Sequence, residues 1–262
     1  MAKIQAPLLL TSCFIASARA RDWNSPTELV TELKVYQGII FALVGLQLWE
    51  HIISLPFELR VYSGRTRWRH GMLAYLLIRY ATWASLIPLM ININTTSPSV
   101  DCEASLIALL VPFSLVVVTT SLVFVIRCIA VWEKNRVVTS VLVGLWLVES
   151  ALHFSSAARI RSHWNGNLCA TWFTRPLWEY NLANLFVLAT DLVTFVLMTY
   201  KLRKMLKIGG IGRALFQQSI LYVGVATGLN VGSLVLFYLN LSPLLGYIGS
   251  PIAMLISGIV GE

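Results

Sequence analysis

The chain has 262 residues, of which 57% are hydrophobic and only 12% charged, and its mean hydropathy is +0.73. A soluble domain carries about 25% charged residues, so this chain has too little polar surface to face water throughout. Its net charge of +8 lies in short loops between apolar runs, a pattern that fits membrane-flanking loops better than a nucleic-acid surface.

Residues 1–34 read as an N-terminal tail, ahead of a transmembrane domain over 35–262. Lys3, the apolar run Pro7 to Ala18 and the small-x-small triplet Ala18-Arg19-Ala20 have the form of a secretory signal peptide over 1–20. The same stretch also reads as an uncleaved tail, because its apolar run is too short to span and Arg19 and Arg21 crowd the cleavage position. Ser25-Pro26-Thr27-Glu28 then has the form of a helix start, with Ser25 as cap and Pro26 in the first helical position.

Seven mostly apolar stretches follow. A helix rises about 1.5 Å per residue, so about 20 residues cross a hydrocarbon core of about 30 Å. The expected fold is therefore all-α, a polytopic bundle of seven transmembrane helices. The spans are Val35 to Ser54, Gly71 to Ile91, Ser105 to Cys128, Val137 to Ser156, Asn181 to Tyr200, Phe216 to Leu239 and Leu244 to Val260. The last is the shortest and contains Pro251.

Arginine and lysine set the expected orientation. Arg60, Arg65, Arg67 and Arg69 follow the first span, Arg127, Lys134 and Arg136 follow the third, and Lys201, Arg203, Lys204, Lys207 and Arg213 follow the fifth. These twelve face one side, against seven on the other. The basic side is cytosolic by the positive-inside rule, which places the N-terminus outside and the C-terminus in the cytosol. Asn94-Thr95-Thr96 is then a glycosylation sequon in an outer loop. Cys102 and Cys169 fall in two different outer loops, where an oxidising compartment permits a disulfide; the alternative is two free thiols. Cys128, at the inner end of the third span, reads as a small packing residue or a palmitoylation site. Passage through the secretory pathway to the plasma membrane or an endomembrane is implied.

Ionisable residues inside spans are costly and face the bundle interior or a cavity. Glu50 and Arg79 lie on neighbouring helices near the same end and form a candidate ion pair, either a lock for the fold or part of a gate. Glu149 and Asp191 both fall near mid-membrane, and His153 stands one turn from Glu149 on the same face. Glu149, His153 and Asp191 are the candidate intramembrane polar site, whose plainest role is a hydrogen-bonded bridge between helices. Asn230 in the sixth span is placed to add an interhelical hydrogen bond. Small residues recur every four positions, at Gly224, Gly228 and Gly232 and again at Gly249, Ala253 and Ser257. That spacing keeps each set on one helix face, where backbones approach closely. Trp132, Trp164, Trp172 and Trp178 fit an interfacial belt, whereas Trp49, Trp83 and Trp146 lie within spans and are expected to pack helices.

Leu48-Trp49-Glu50, Ser54-Leu55-Pro56-Phe57-Glu58, Arg79-Tyr80, Asp101-Cys102, Arg127-Cys128-Ile129-Ala130-Val131-Trp132, Thr199-Tyr200-Lys201-Leu202, Leu215 to Tyr222 and Asn240-Leu241-Ser242-Pro243 occur in order along the chain. In combination they resemble a large family of basidiomycete fungal seven-helix membrane proteins. The resemblance covers residues 35 to 257 and implies a seven-helix bundle. That family carries no established activity, so no catalytic residue transfers.

No C-x-x-C pair, H-E-x-x-H, G-x-S-x-G or phosphate-binding glycine loop occurs, and no cofactor or metal is implied. The expected partners are membrane lipids and a small-molecule or lipid ligand. A receptor-like or sensory role is the leading expectation. The alternatives are an enzyme acting on a lipid or terpenoid through Glu149, His153 and Asp191, and a transporter or scaffold.

Overall fold

A computed structural model describes residues 26–64, 70–94, 101–133, 135–164, 169–173 and 177–205, together with 224, 225, 227, 228, 230–232 and 235. The expected signal-peptide segment and Ser25 cap, the expected seventh span with Gly249, Ala253 and Ser257, and most of the expected sixth lie outside these residues. The described chain is mostly helical. It comprises α1 (Pro26–Tyr62), α2 (His70–Asn94), α3 (Cys102–Val131), α4 (Arg136–Ala157), a hairpin of β1 (Ile160–Trp164) and β2 (Cys169–Phe173), and α5 (Leu177–Met205).

All five helices are long and apolar enough to cross a membrane, and the chain reads as an integral membrane protein. Each matches an expected span and extends past it at both ends. The excess is largest in α1, whose 37 residues reach about 55 Å at 1.5 Å per residue. Its first turns carry Glu28, Glu32 and Lys34 and its last turn Arg60, so the greasy middle is only part of the rod. Pro56, Pro88 and Pro112 sit inside α1, α2 and α3, each removing one backbone donor from its ladder.

Residues with strong local preferences end the helices. Asp101 caps α3, its Oδ1 accepting from the backbone of Glu103 at 3.0 Å and Ala104 at 3.2 Å. Asn135 caps α4 in the same way through Val137 at 3.0 Å. Gly64 follows α1 with φ of 71°, a conformation that glycine adopts without a Cβ clash. Glu133, in the tight turn between α3 and α4, also has a positive φ of 53°.

The centre of the described bundle is α3, which packs against α2, α4, α5 and β1. Its buried face includes Ser114, Val116, Thr120, Ser121, Phe124, Val125 and Cys128. Opposite it, α2 buries Ile78, Ala81, Thr82 and Ser85, and α5 buries Ala183, Thr190 and Thr194. Small and hydroxyl-bearing residues thus sit where helices meet, as expected where lipid tails are as apolar as leucine and close packing must drive association. Large apolar side chains point away from the bundle: Phe41, Ile52 and Leu59 on α1, Leu77 and Ile87 on α2, Ile126 on α3, Val137 and Leu147 on α4, and Val196 on α5 are all exposed. In water such a surface invites aggregation; against lipid it is the favourable one.

Two contacts establish which ends coincide. Trp132, just past α3, donates its indole N–H to the Leu197 carbonyl of α5 at 3.2 Å and stacks on Tyr200. Glu133 lies 3.6 Å from Lys201. The far ends of α3 and α5 therefore share one end of the bundle, the end that carries Arg127, Arg136, Lys201 and Arg203.

Candidate functional site

At the opposite end, Cys102 at the start of α3 forms a disulfide with Cys169 of β2, across 67 residues of sequence. The segment between α4 and α5 is an antiparallel hairpin, with Ile160 opposite Phe173 and Trp164 opposite Cys169. Glu103 clamps it a second time. One carboxylate oxygen pairs with Arg161 at 2.6 Å, and the other accepts the Ser162 backbone N–H at 3.0 Å. A disulfide from Cys102, and an ion pair and a main-chain hydrogen bond to Glu103, thus hold the hairpin on the first turn of α3. The expected bridge is present; the hairpin it anchors was not anticipated, although Asn165-Gly166 stands between its strands as a turn signal.

Deeper in the bundle, two polar clusters lie in separate places. The first joins α1 to α2. Arg79 is only 5% exposed, and the carboxylate beside it belongs to Glu58, itself 2% exposed, at 2.8 Å. Arg79 also donates to His51 Nδ1 at 2.9 Å, to the His51 carbonyl at 2.8 Å, and to the Ser54 and Tyr75 hydroxyls. The Tyr80 hydroxyl donates to the other Glu58 oxygen at 3.1 Å. The expected Glu50–Arg79 pair is thus corrected: Glu50 offers Arg79 its main-chain carbonyl at 3.4 Å, while Glu58, two turns further along α1, supplies the charge. With its donors directed at carboxylate, carbonyl, imidazole and hydroxyl groups, Arg79 has the satisfied environment that a buried guanidinium requires.

The second cluster joins α3, α4 and α5. Glu149 is fully buried, and one carboxylate oxygen accepts from the Ser121 hydroxyl of α3 at 2.7 Å. Asp191 on α5, 4% exposed, accepts from the Asn230 side-chain amide at 3.0 Å. The two carboxylates lie within electrostatic reach of one another. His153 does not join them. Its Nδ1 meets the Ser114 hydroxyl at 3.3 Å and its ring tilts against Phe113. No group of three His, Cys, Asp or Glu side chains among the described residues could hold a metal ion. Of the three expected site residues the structure therefore unites two, and it adds Ser121 and Asn230.

The remaining expectations divide. Asn94 is the last residue of α2, exposed, with its amide on the Met90 carbonyl. A Cβ added at Gly224, Gly228 or Gly232 meets nothing within 4 Å, so close helix approach at these glycines is not seen among the described residues. Cys128 is buried against α5, its sulfur 4.0 Å from the Thr194 carbonyl, which favours packing over acylation. Trp146 packs as expected, donating to the Val118 carbonyl at 3.0 Å, and Trp83 meets His51 edge-on. Trp49 departs from expectation: it is 61% exposed on the outer face of α1. No protein-family model matches the chain, and no curated relative matches it.

Proposed function

We propose that the chain is a seven-helix membrane protein of receptor-like type, with its N-terminus outside the cell or in an organelle lumen and its basic turns in the cytosol. It is also proposed to belong to the basidiomycete seven-helix family that its motifs resemble. The observation that carries the reading is the hairpin held on the first turn of α3 by the Cys102–Cys169 disulfide and Glu103. Disulfides persist in oxidising compartments, and this one lies at the end of the bundle remote from Arg127, Arg136, Lys201 and Arg203. A hairpin anchored at one end, with buried polar groups between α3, α4 and α5, suits the capture of a small molecule or lipid from the outer side. In this reading Glu149 and Asp191 link helices and perform no bond-breaking chemistry.

Native mass spectrometry of the full chain, purified in mild detergent, tests this proposal. A small molecule or lipid should co-purify with the wild type and be lost from the Cys102→Ser, Cys169→Ser double variant. An empty bundle argues against a receptor. Turnover of a lipid substrate that Glu149→Gln abolishes in a folded protein replaces the receptor with an enzyme.

A further inference from the structure

We propose that Glu149 and Asp191, with Ser121 and Thr190, form an intramembrane site for one small monovalent cation, a proton or a sodium ion. This goes beyond the receptor reading and does not depend on it. Two carboxylates, 0% and 4% exposed, are buried on the packed helices α4 and α5. Two negative charges in such a place are costly unless neutralised, and no Lys or Arg among the described residues pairs with either.

The hydrogen bonding is incomplete in an instructive way. Ser121 serves one Glu149 oxygen and Asn230 one Asp191 oxygen. The second Glu149 oxygen, Oε2, is buried with no hydrogen-bond partner. The Thr190 hydroxyl is within hydrogen-bonding reach of the Glu149 carboxylate and also lies 2.9 Å from the Phe186 carbonyl; its one proton cannot serve both, so a carboxylate oxygen and a hydroxyl oxygen meet with no proton of their own to share. Carboxylate and hydroxyl oxygens are the donors that a hard cation takes. A proton on Glu149 Oε2, donated to Thr190 Oγ1, completes the same arrangement. Of the titratable groups on the packed elements, His153 on α4 is engaged with Ser114, Arg127 on α3 lies nearly two turns beyond Ser121, and Lys201 on α5 lies nearly three turns beyond Asp191. The sixth segment contributes the neutral Asn230.

The thermal unfolding midpoint of the full chain in detergent tests the site, read in sodium chloride against choline chloride at equal ionic strength, from pH 5.5 to 8.5. Either occupant binds the folded state preferentially and raises the midpoint by a few degrees. A sodium-specific rise at high pH that shrinks on acidification identifies sodium competing with a proton. A rise on acidification in choline alone identifies the proton, since a proton held only by the folded state makes stability fall as pH increases. In both cases the response should vanish in Glu149→Gln and in Asp191→Asn; if one variant fails to fold, the other decides. His153→Gln should leave the response in place. A midpoint indifferent to both ions, or a response unchanged in the carboxylate variants, overturns the proposal.

Discussion

Single side chains carry most of the specific information in this bundle. Arg79 shows how burial chooses a partner. Its fully directed donors make Glu58 and Glu50 unequal, although both lie on α1 and both carry a carboxylate. Removing one member of a buried pair strands the other charge and costs about 3–5 kcal/mol. Glu58→Gln should therefore lower the unfolding midpoint strongly, whereas Glu50→Gln should leave it nearly unchanged, because only the main-chain carbonyl of residue 50 reaches Arg79. A thermal melt of the two variants side by side checks this, and equal losses would contradict it. Ser121→Ala removes the hydrogen bond to Glu149. Interhelical hydrogen bonds in membranes average about 0.6 kcal/mol and reach about 1.7, so the same melt should show a small but measurable loss. The charged residues inside spans stood out in the sequence because charge is rare there. Of their partners only Asn230 was singled out: Glu58 fell beyond the expected end of the first span, and Ser121 is one of many hydroxyls on α3.

Elements were legible to the degree that hydropathy governs them. The five described spans were all expected, because about 20 apolar residues in a row have few alternatives to a transmembrane helix. Their full lengths were not, because hydropathy reports the lipid-facing stretch and ignores polar turns that continue the same hydrogen-bond ladder, as in α1. The β-hairpin was missed for a different reason. Residues 160–173 are too short and too polar to register as a span, and only Asn165-Gly166 and the alternation of Ile160, Ser162 and Trp164 mark the strands. A two-stranded hairpin is marginal alone, so its presence depends on its anchor. Closing a loop of this length with a disulfide contributes about 4 kcal/mol in the chain-entropy description. Reducing agent, or the Cys102→Ser, Cys169→Ser double variant, should lower the melting midpoint and make Arg161 and its neighbours more susceptible to protease. An unchanged digestion pattern at the hairpin would contradict that role.

The whole molecule follows from a division of labour between faces. Among the described residues, leucine, isoleucine and valine cover the outside of the rods, small and hydroxyl-bearing residues fill the contacts between them, and the buried charged groups, Arg79 with Glu58 and Glu149 with Asp191, lie in two interior clusters. That distribution inverts the soluble pattern and is what a bilayer selects. The two ends also differ in chemistry. One carries a disulfide and a docked hairpin; the other carries, among the described residues, Arg60, Arg127, Arg136, Lys201 and Arg203. If the bundle spans a membrane with its basic end in the cytosol, these ends lie on opposite sides of it. The direct measurement is labelling of intact cells with a membrane-impermeant thiol reagent, using Arg65→Cys and Ser99→Cys in a Cys13→Ser, Cys128→Ser background. The cysteine at position 99 should be labelled on intact cells and the one at position 65 only after permeabilisation, with the matching luminal result if the protein resides in an internal membrane. Labelling of both positions from the same side would contradict it.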